Sequence, residues 1–216
     1  MSASATAILP VKRFDAAKRR LGTGMEEGRR RELVAAMLRD VLDAIAGARL
    51  IERTIVVSGE PAAAPIAADA GAELVDDPDD RGHPEAALLG IAAAAEGGAG
   101  CVVLLPGDCP LLDPRDLDRL LTAVPNPYVA VVPDRHGTGT NALLLRPPDA
   151  IRPAFGEGSC QRHLQAARST GLPHGLEHLD SLALDLDTPA DIVALTRELE
   201  QSGRGRARNT ARVLGL

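Results

Sequence analysis

Cys101-Val102-Val103-Leu104-Leu105, followed at once by Pro106-Gly107-Asp108-Cys109-Pro110 and then by Asp113-Pro114-Arg115-Asp116, is the stretch that decides the fold. Five apolar residues without polar alternation predict a strand buried on both faces, as in a parallel sheet. Asp113 as N-cap, Pro114 at the first helical position and Asp116 two residues later predict a helix directly after the turn. Strand, turn and helix make one unit, and similar units lie on either side of it.

Upstream, residues 6–11 read as a first strand, followed by a polar, glycine-containing loop through Gly24. Leu33, Val34, Met37, Leu38, Val41, Leu42 and Ile45 recur at helical spacing, so residues 26–46 form an amphipathic helix. Residues 53–58 are a β-branched strand, an Ala-rich helix follows Pro61, residues 73–75 make a brief strand, and residues 84–96 are helical. Downstream, residues 128–132 and 142–145 read as strands, a helix begins near Ser159, and residues 182–186 read as a last strand. Thr188-Pro189-x-Asp191 caps a final helix. The alternation predicts an α/β fold, a Rossmann-like three-layer sandwich with a mainly parallel sheet. Residues 1–200 are expected to form one domain, and residues 201–216, with Arg204, Arg206, Arg208 and Arg212 around two glycines, a loosely held basic tail.

Composition excludes several classes of function. The chain has 216 residues, 24 basic and 30 acidic, for a net charge of −6. An acidic protein with Phe14, Tyr128 and Phe155 as its only aromatics lacks both the basic stripe and the stacking platform of a nucleic-acid binder. The three cysteines form no C-x-x-C pair and fit reduced thiols. No signal-peptide pattern or membrane-length apolar run occurs, so a soluble, cytoplasmic protein is expected.

The basic residues are unevenly divided. Only Lys12 and Lys18 are lysines, and both fall in the first strand-to-helix connection, where Lys12, Arg13, Lys18, Arg19 and Arg20 put five cations into nine residues. A compact ammonium suits phosphate as a point charge where a guanidinium fork does not. A polyphosphate cradle is the reading, although neither G-x-x-x-x-G-K-[ST] nor G-x-G-x-x-G occurs. Ligands of open α/β sheets bind beyond the carboxyl ends of the strands. Asp108 stands at such an end and is not needed as a helix cap. Asp185 and Asp187, alternating with Leu184 and Leu186, would share one strand face roughly 7 Å apart and repel unless a cation lies near. An all-oxygen set of this kind suits Mg²⁺. Two glycine-rich turns, residues 134–141 and 155–159, offer hydroxyls, flexible backbone and a Ser159 helix cap to a second anion.

A polyphosphate loop, a Mg²⁺ site and an anion pocket together describe nucleotidyl transfer, in which positioning and charge neutralisation do the catalysis. A nucleotidyltransferase with another base or acceptor, of molybdenum-cofactor or sugar-phosphate type, and a non-catalytic nucleotide-binding domain remain open from these residues alone.

The motifs also carry a resemblance. Leu9-Pro10-Val11-Lys12, Ala17-Lys18-Arg19-Arg20-Leu21, Gly107-Asp108-Cys109-Pro110-Leu111, Gly137-Thr138-Gly139-Thr140-Asn141, Phe155-Gly156-Glu157-Gly158-Ser159 and Asp185-Leu186-Asp187-Thr188-Pro189 resemble, in this order, the phosphoenolpyruvate/2-phospho-L-lactate guanylyltransferases of coenzyme F420 biosynthesis. The resemblance spans residues 6–195. It implies a nucleotide-diphospho-sugar-transferase-type fold, GTP as donor, and phosphoenolpyruvate or 2-phospho-L-lactate as acceptor. It makes Asp108, Asp185 and Asp187 the Mg²⁺ ligands and assigns the acceptor to Thr140, Gly156 and Ser159. It sets Leu9, Pro10, Val11, Lys12, Lys18, Arg20 and Gly82 at the nucleotide, with Lys12, Lys18 and Asp108 catalytic. Hand-over of the product to a downstream F420 transferase is implied as well. The chain departs from the family where Gly82-His83-Pro84-Glu85 replaces Gly-Leu-Asn, and where Arg19 replaces a small hydroxyl residue.

Overall fold

A computed structural model describes residues 4–15, 18, 21, 25–202 and 205–216. Seven strands, β1 (Ala5–Pro10), β2 (Ile51–Ser58), β3 (Glu73–Asp76), β4 (Val102–Leu104), β5 (Tyr128–Pro133), β6 (Thr140–Arg146) and β7 (His174–Leu176), form one sheet in the order β3-β2-β1-β4-β6-β5-β7. β6 runs antiparallel to its neighbours β4 and β5, and the other adjacent pairs are parallel. The expected mainly parallel α/β sheet is therefore present, with one reversed strand.

The helices α1 (Glu27–Gly47), α2 (Ala63–Asp69), α3 (His83–Glu96), α4 (Pro114–Ala123), α5 (Ser159–Thr170), α6 (Pro189–Ser202) and α7 (Arg208–Leu214) cover both faces. Alternate strand residues split between two cores: Ala7, Leu9 and Val103 join α1, α4 and α6, whereas Ile8, Val102 and Leu104 join α3 and α5. Leu33, Met37, Leu38, Val41, Leu42 and Ile45 give α1 its buried stripe, each contributing about 1.5–3 kcal/mol of transfer free energy. On the other face α3 lies very close to the sheet. A Cβ at Gly90 would stand 2.3 Å from Ile8 Cγ2, so only glycine permits that approach.

Three expectations are corrected. Residues 182–186 are not a strand: a 3₁₀ turn over Asp180–Leu182 leads into irregular chain with no sheet partner. Leu182 and Leu186 are fully buried, so the same apolar alternation arises without a ladder. The seventh strand is instead β7, whose three residues carry no strand pattern and are recruited by pairing with β5. The C-terminal segment is not loosely held. Its helix α7 packs on α1, with Ala207, Thr210 and Ala211 buried. Asp40 of α1 accepts hydrogen bonds from the amide of Asn209 (2.9 Å), the side-chain amide of Asn209 (2.9 Å) and the amide of Thr210 (2.8 Å). Among the described residues no helix is long and apolar enough to cross a membrane.

Candidate active site

The carboxyl ends of β1 and β4 open onto one cleft. Because β6 is reversed, its beginning at Thr140 faces the same edge. The cleft has two lobes that share Lys12, His83, Pro106, Asp108 and Asp187. The smaller, 270 Å³, is bounded by Pro10, Val11, Lys18 and the α1 residues Val34, Met37 and Leu38. The larger, 840 Å³, is bounded by Gly82, Thr140, Phe155, Gly156, Ser159 and Asp185.

Local structure explains why these groups arrive there. β1 ends at Pro10, and the chain beyond is anchored by Phe14, whose ring is buried and whose amide donates to the Glu60 carboxylate (2.8 Å). Lys18 adopts a left-handed backbone, φ 57°, a conformation that costs a non-glycine residue of order 1 kcal/mol or more. Its ammonium pairs with both Asp108 Oδ2 and Asp187 Oδ1. Burial works to lower the Lys18 pKa, but the two carboxylates outweigh it and hold the ammonium above its ordinary value, firmly charged.

The acidic side of the junction is held by hydrogen bonds rather than by a strand. The amide of Leu186 donates to the Asp108 carbonyl (3.1 Å), and the Asn141 side chain donates to the Leu182 carbonyl (2.7 Å). Asp191, 2% exposed, accepts from the amides of Asp187 (3.0 Å) and Thr188 (2.7 Å) and pairs with Arg135. Burial raises its pKa and these donors lower it further, for a net depression. Asp185 is shifted upward, first by burial and then by repulsion from Asp108.

The glycine-rich turns do less than their composition suggests, and something different. Asp134 accepts from the amides of His136 (3.1 Å), Thr138 (3.0 Å) and Gly139 (3.0 Å), so its own carboxylate takes the loop donors expected for an anion. Arg162 folds over the second turn, donating to the carbonyls of Ala154 and Glu157. Ser159 is not the helix cap: Gly158 holds that position with φ 70°, and Ser159 is the first residue of α5. What reaches the larger lobe is the Thr140–Ser159 hydroxyl pair, 3.2 Å apart, beside Gly156, whose φ of 113° favours glycine.

Of the residues singled out in the sequence, Pro10, Val11, Lys12, Lys18, Gly82, Asp108, Thr140, Gly156, Ser159, Asp185 and Asp187 line the cleft. Leu9 does not; it is fully buried in the core beneath β1, so the structure gives it no side chain at the site. Arg20 lies outside the described residues. Lys18, expected to face phosphates, instead bridges two aspartates. Among the described residues no three acidic, imidazole or thiol groups form a ready metal cage, since the ammonium separates Asp108 from Asp187. Asp108 Oδ1 is nevertheless buried without a hydrogen-bond partner. An orphaned carboxylate oxygen beside two more carboxylates is a donor set that suits a hard divalent cation. Sequence reasoning met His83 only as a departure from the family and did not single out His163; His83 bounds both lobes, and both rings pack edge-on against Phe155.

Residues 5–214 match the family model described as "Guanylyl transferase CofC like". The chain belongs to this guanylyltransferase family. It is 46% identical over 213 residues to the phosphoenolpyruvate guanylyltransferase of Conexibacter woesei, covering 98% of this chain and 95% of that one. It is 41% identical over 197 residues to the 3-phospho-D-glycerate guanylyltransferase of Phenylobacterium zucineum, covering 89% and 90%. Among solved structures, a candidate nucleotide-diphospho-sugar transferase from Desulfovibrio desulfuricans G20 superposes with a TM-score of 0.76 at 21% identity, over 99% of this chain and 94% of that one. That likeness confirms the fold expected from the sequence.

Proposed function

We propose that the enzyme transfers GMP from GTP to phosphoenolpyruvate, releasing pyrophosphate, with Mg²⁺ required. One observation carries the reading: Lys18, Asp108 and Asp187 meet where the smaller lobe, floored by the end of β1, joins the larger lobe bearing Thr140 and Ser159. The names of the relatives supply the chemistry to test.

A phosphate oxygen of the acceptor attacks the α-phosphorus of GTP; the bond from that phosphorus to the β-bridging oxygen breaks, and pyrophosphate departs with the electron pair. The charge that develops is spread over phosphoryl oxygens, so catalysis is positioning and neutralisation. Asp108, Asp185 and Asp187 are the groups that would hold the cation, which supplies charge neutralisation to the phosphates when bound. Lys12, on the wall between the lobes, and Lys18, already charged at the junction, supply protein cations. Thr140, Gly156 and Ser159 bound the acceptor's lobe, Ser159 acting through the hydrogen bond that its hydroxyl donates to Thr140. The product is a reactive diphosphate-linked acid, fit for consumption by the transferase of coenzyme F420 assembly.

The experiment is pyrophosphate release with GTP, ATP, CTP and UTP against phosphoenolpyruvate, 2-phospho-L-lactate and 3-phosphoglycerate, with and without Mg²⁺. GTP with phosphoenolpyruvate is expected to be the fastest pair and to depend on Mg²⁺. Asp108→Asn is expected to lower kcat by about 100-fold or more, as loss of a transition-state charge contact does. No GTP-dependent release with any of the three acids would defeat the reading.

A further inference from the structure

His163 lies on the first turns of α5, fully buried, behind the hydroxyl pair that faces the larger lobe. Its Nε2 is 2.8 Å from the amide nitrogen of Ala154. An amide N–H can only donate, so Nε2 is the bare nitrogen and the ring proton sits on Nδ1. Nδ1 is 3.0 Å from Thr140 Oγ1 and therefore donates to it. The Ser159 hydroxyl donates to the same oxygen at 3.2 Å. Two donors occupy both lone pairs of Thr140 Oγ1, which leaves the hydroxyl's own hydrogen to point into the lobe that Thr140 lines. The ring cannot tip out of this arrangement easily. Phe155 packs edge-on against it with centroids 5.1 Å apart, and His83 packs on Phe155 at 4.8 Å. Burial and the neighbouring Arg162 push the His163 pKa down to about 4, so the imidazole is neutral at neutral pH.

We propose that His163 is a positioning residue that makes Thr140 an obligate hydrogen-bond donor to an anionic oxygen of the phosphorylated acid bound in the larger lobe. The proposal rests on the guanylyltransferase reading for the identity of that acid. It adds the origin of the polarity: a backbone amide sets the imidazole tautomer, the imidazole sets the hydroxyl, and the hydroxyl selects an oxygen without a proton. A ligand group that itself donates at this point, such as a carboxamide, meets a second donor and is rejected.

The test uses two substitutions that separate the two ring nitrogens. In His163→Gln the terminal amide reaches the place of Nε2 and can still accept from Ala154, but the donor to Thr140 is lost. In His163→Asn the amide nitrogen lies near the place of Nδ1, so the donor to Thr140 is kept and the Ala154 contact is lost. His163→Gln is expected to raise KM for phosphoenolpyruvate about tenfold, with KM for GTP within twofold, and His163→Asn to recover most of that loss. Equal shifts in the two variants, or none in His163→Gln, would overturn the proposal by reducing His163 to packing. Nitrogen-15 NMR of the histidine rings gives an answer independent of turnover: Nδ1–H is expected for His163 in the full chain, and an Nε2–H ring would sink the relay. If the wild-type protein turned over none of the acids, the functional reading would fail, while the NMR result would still decide the tautomer.

Discussion

An ammonium held by two carboxylates at the meeting of two lobes is a costly arrangement at the residue scale, because three charges are partly desolvated and one backbone unit is left-handed. Such concentrations of charge and strain gather at functional sites. The sequence pointed to Lys12 and Lys18 because lysine is so rare in this chain, and Asp108 because it was a spare acid at a strand end. It did not show that Lys18 and Asp108 pair, since their contact spans 90 positions. The buried histidine was illegible for another reason: His163 looks like any helical polar residue until β6 and residues 154–155 close over it. His163 also gives a pH prediction. Its pKa is about 6.5 unfolded and about 4 folded, so its contribution is fully present above pH 6.5 and is lost as pH falls toward 4, because the unfolded chain binds the proton first. The full loss is about 3 kcal/mol. Thermal denaturation between pH 7 and 4.5 is expected to fall more steeply for the wild type than for His163→Asn; parallel curves would refute it.

At the scale of elements, the sequence reading located β1 through β6 and α1 through α6 within a few residues, because each has a periodicity of its own or a cap such as Asp113, which accepts from the Arg115 amide at 2.9 Å. It failed where a segment is shaped by partners rather than by pattern. Residues 182–187 alternate like a strand but hydrogen-bond to the Asp108 carbonyl and the Asn141 side chain. The C-terminal segment looks soluble by composition, and its partner Asp40 is hidden in the middle of α1 as an ordinary acidic position. Asp40→Ala would leave the amides of Asn209 and Thr210 without their acceptor. A loss of about 2 kcal/mol in urea denaturation is expected, with kcat/KM of the folded protein within twofold of wild type. A loss below about 0.5 kcal/mol would mean that α7 is held by its apolar contacts alone.

Across the whole molecule, the cleft is assembled from two kinds of connection. The smaller lobe is made by segments that follow β1 and β4 and by the flank of α1, whereas the larger lobe draws Thr140 from the start of β6, Ser159 from the start of α5 and Gly156 from the turn before α5. Exchanging residues 134–159 for the corresponding segment of the Phenylobacterium zucineum relative should therefore shift preference among phosphoenolpyruvate and 3-phosphoglycerate at least tenfold in kcat/KM, while KM for GTP stays within threefold. A chimera that keeps the parental acceptor preference would assign selectivity to the other lobe.

The reversed direction of β6 has a consequence for how such an enzyme can diversify. A strand that enters the sheet at the rim of the cleft, rather than leaving it there, lets the β5–β6 hairpin line the larger lobe while contributing nothing to the lining of the smaller one. Insertions or substitutions between β5 and β6 thus reshape the larger lobe and leave the lining of the smaller one in place.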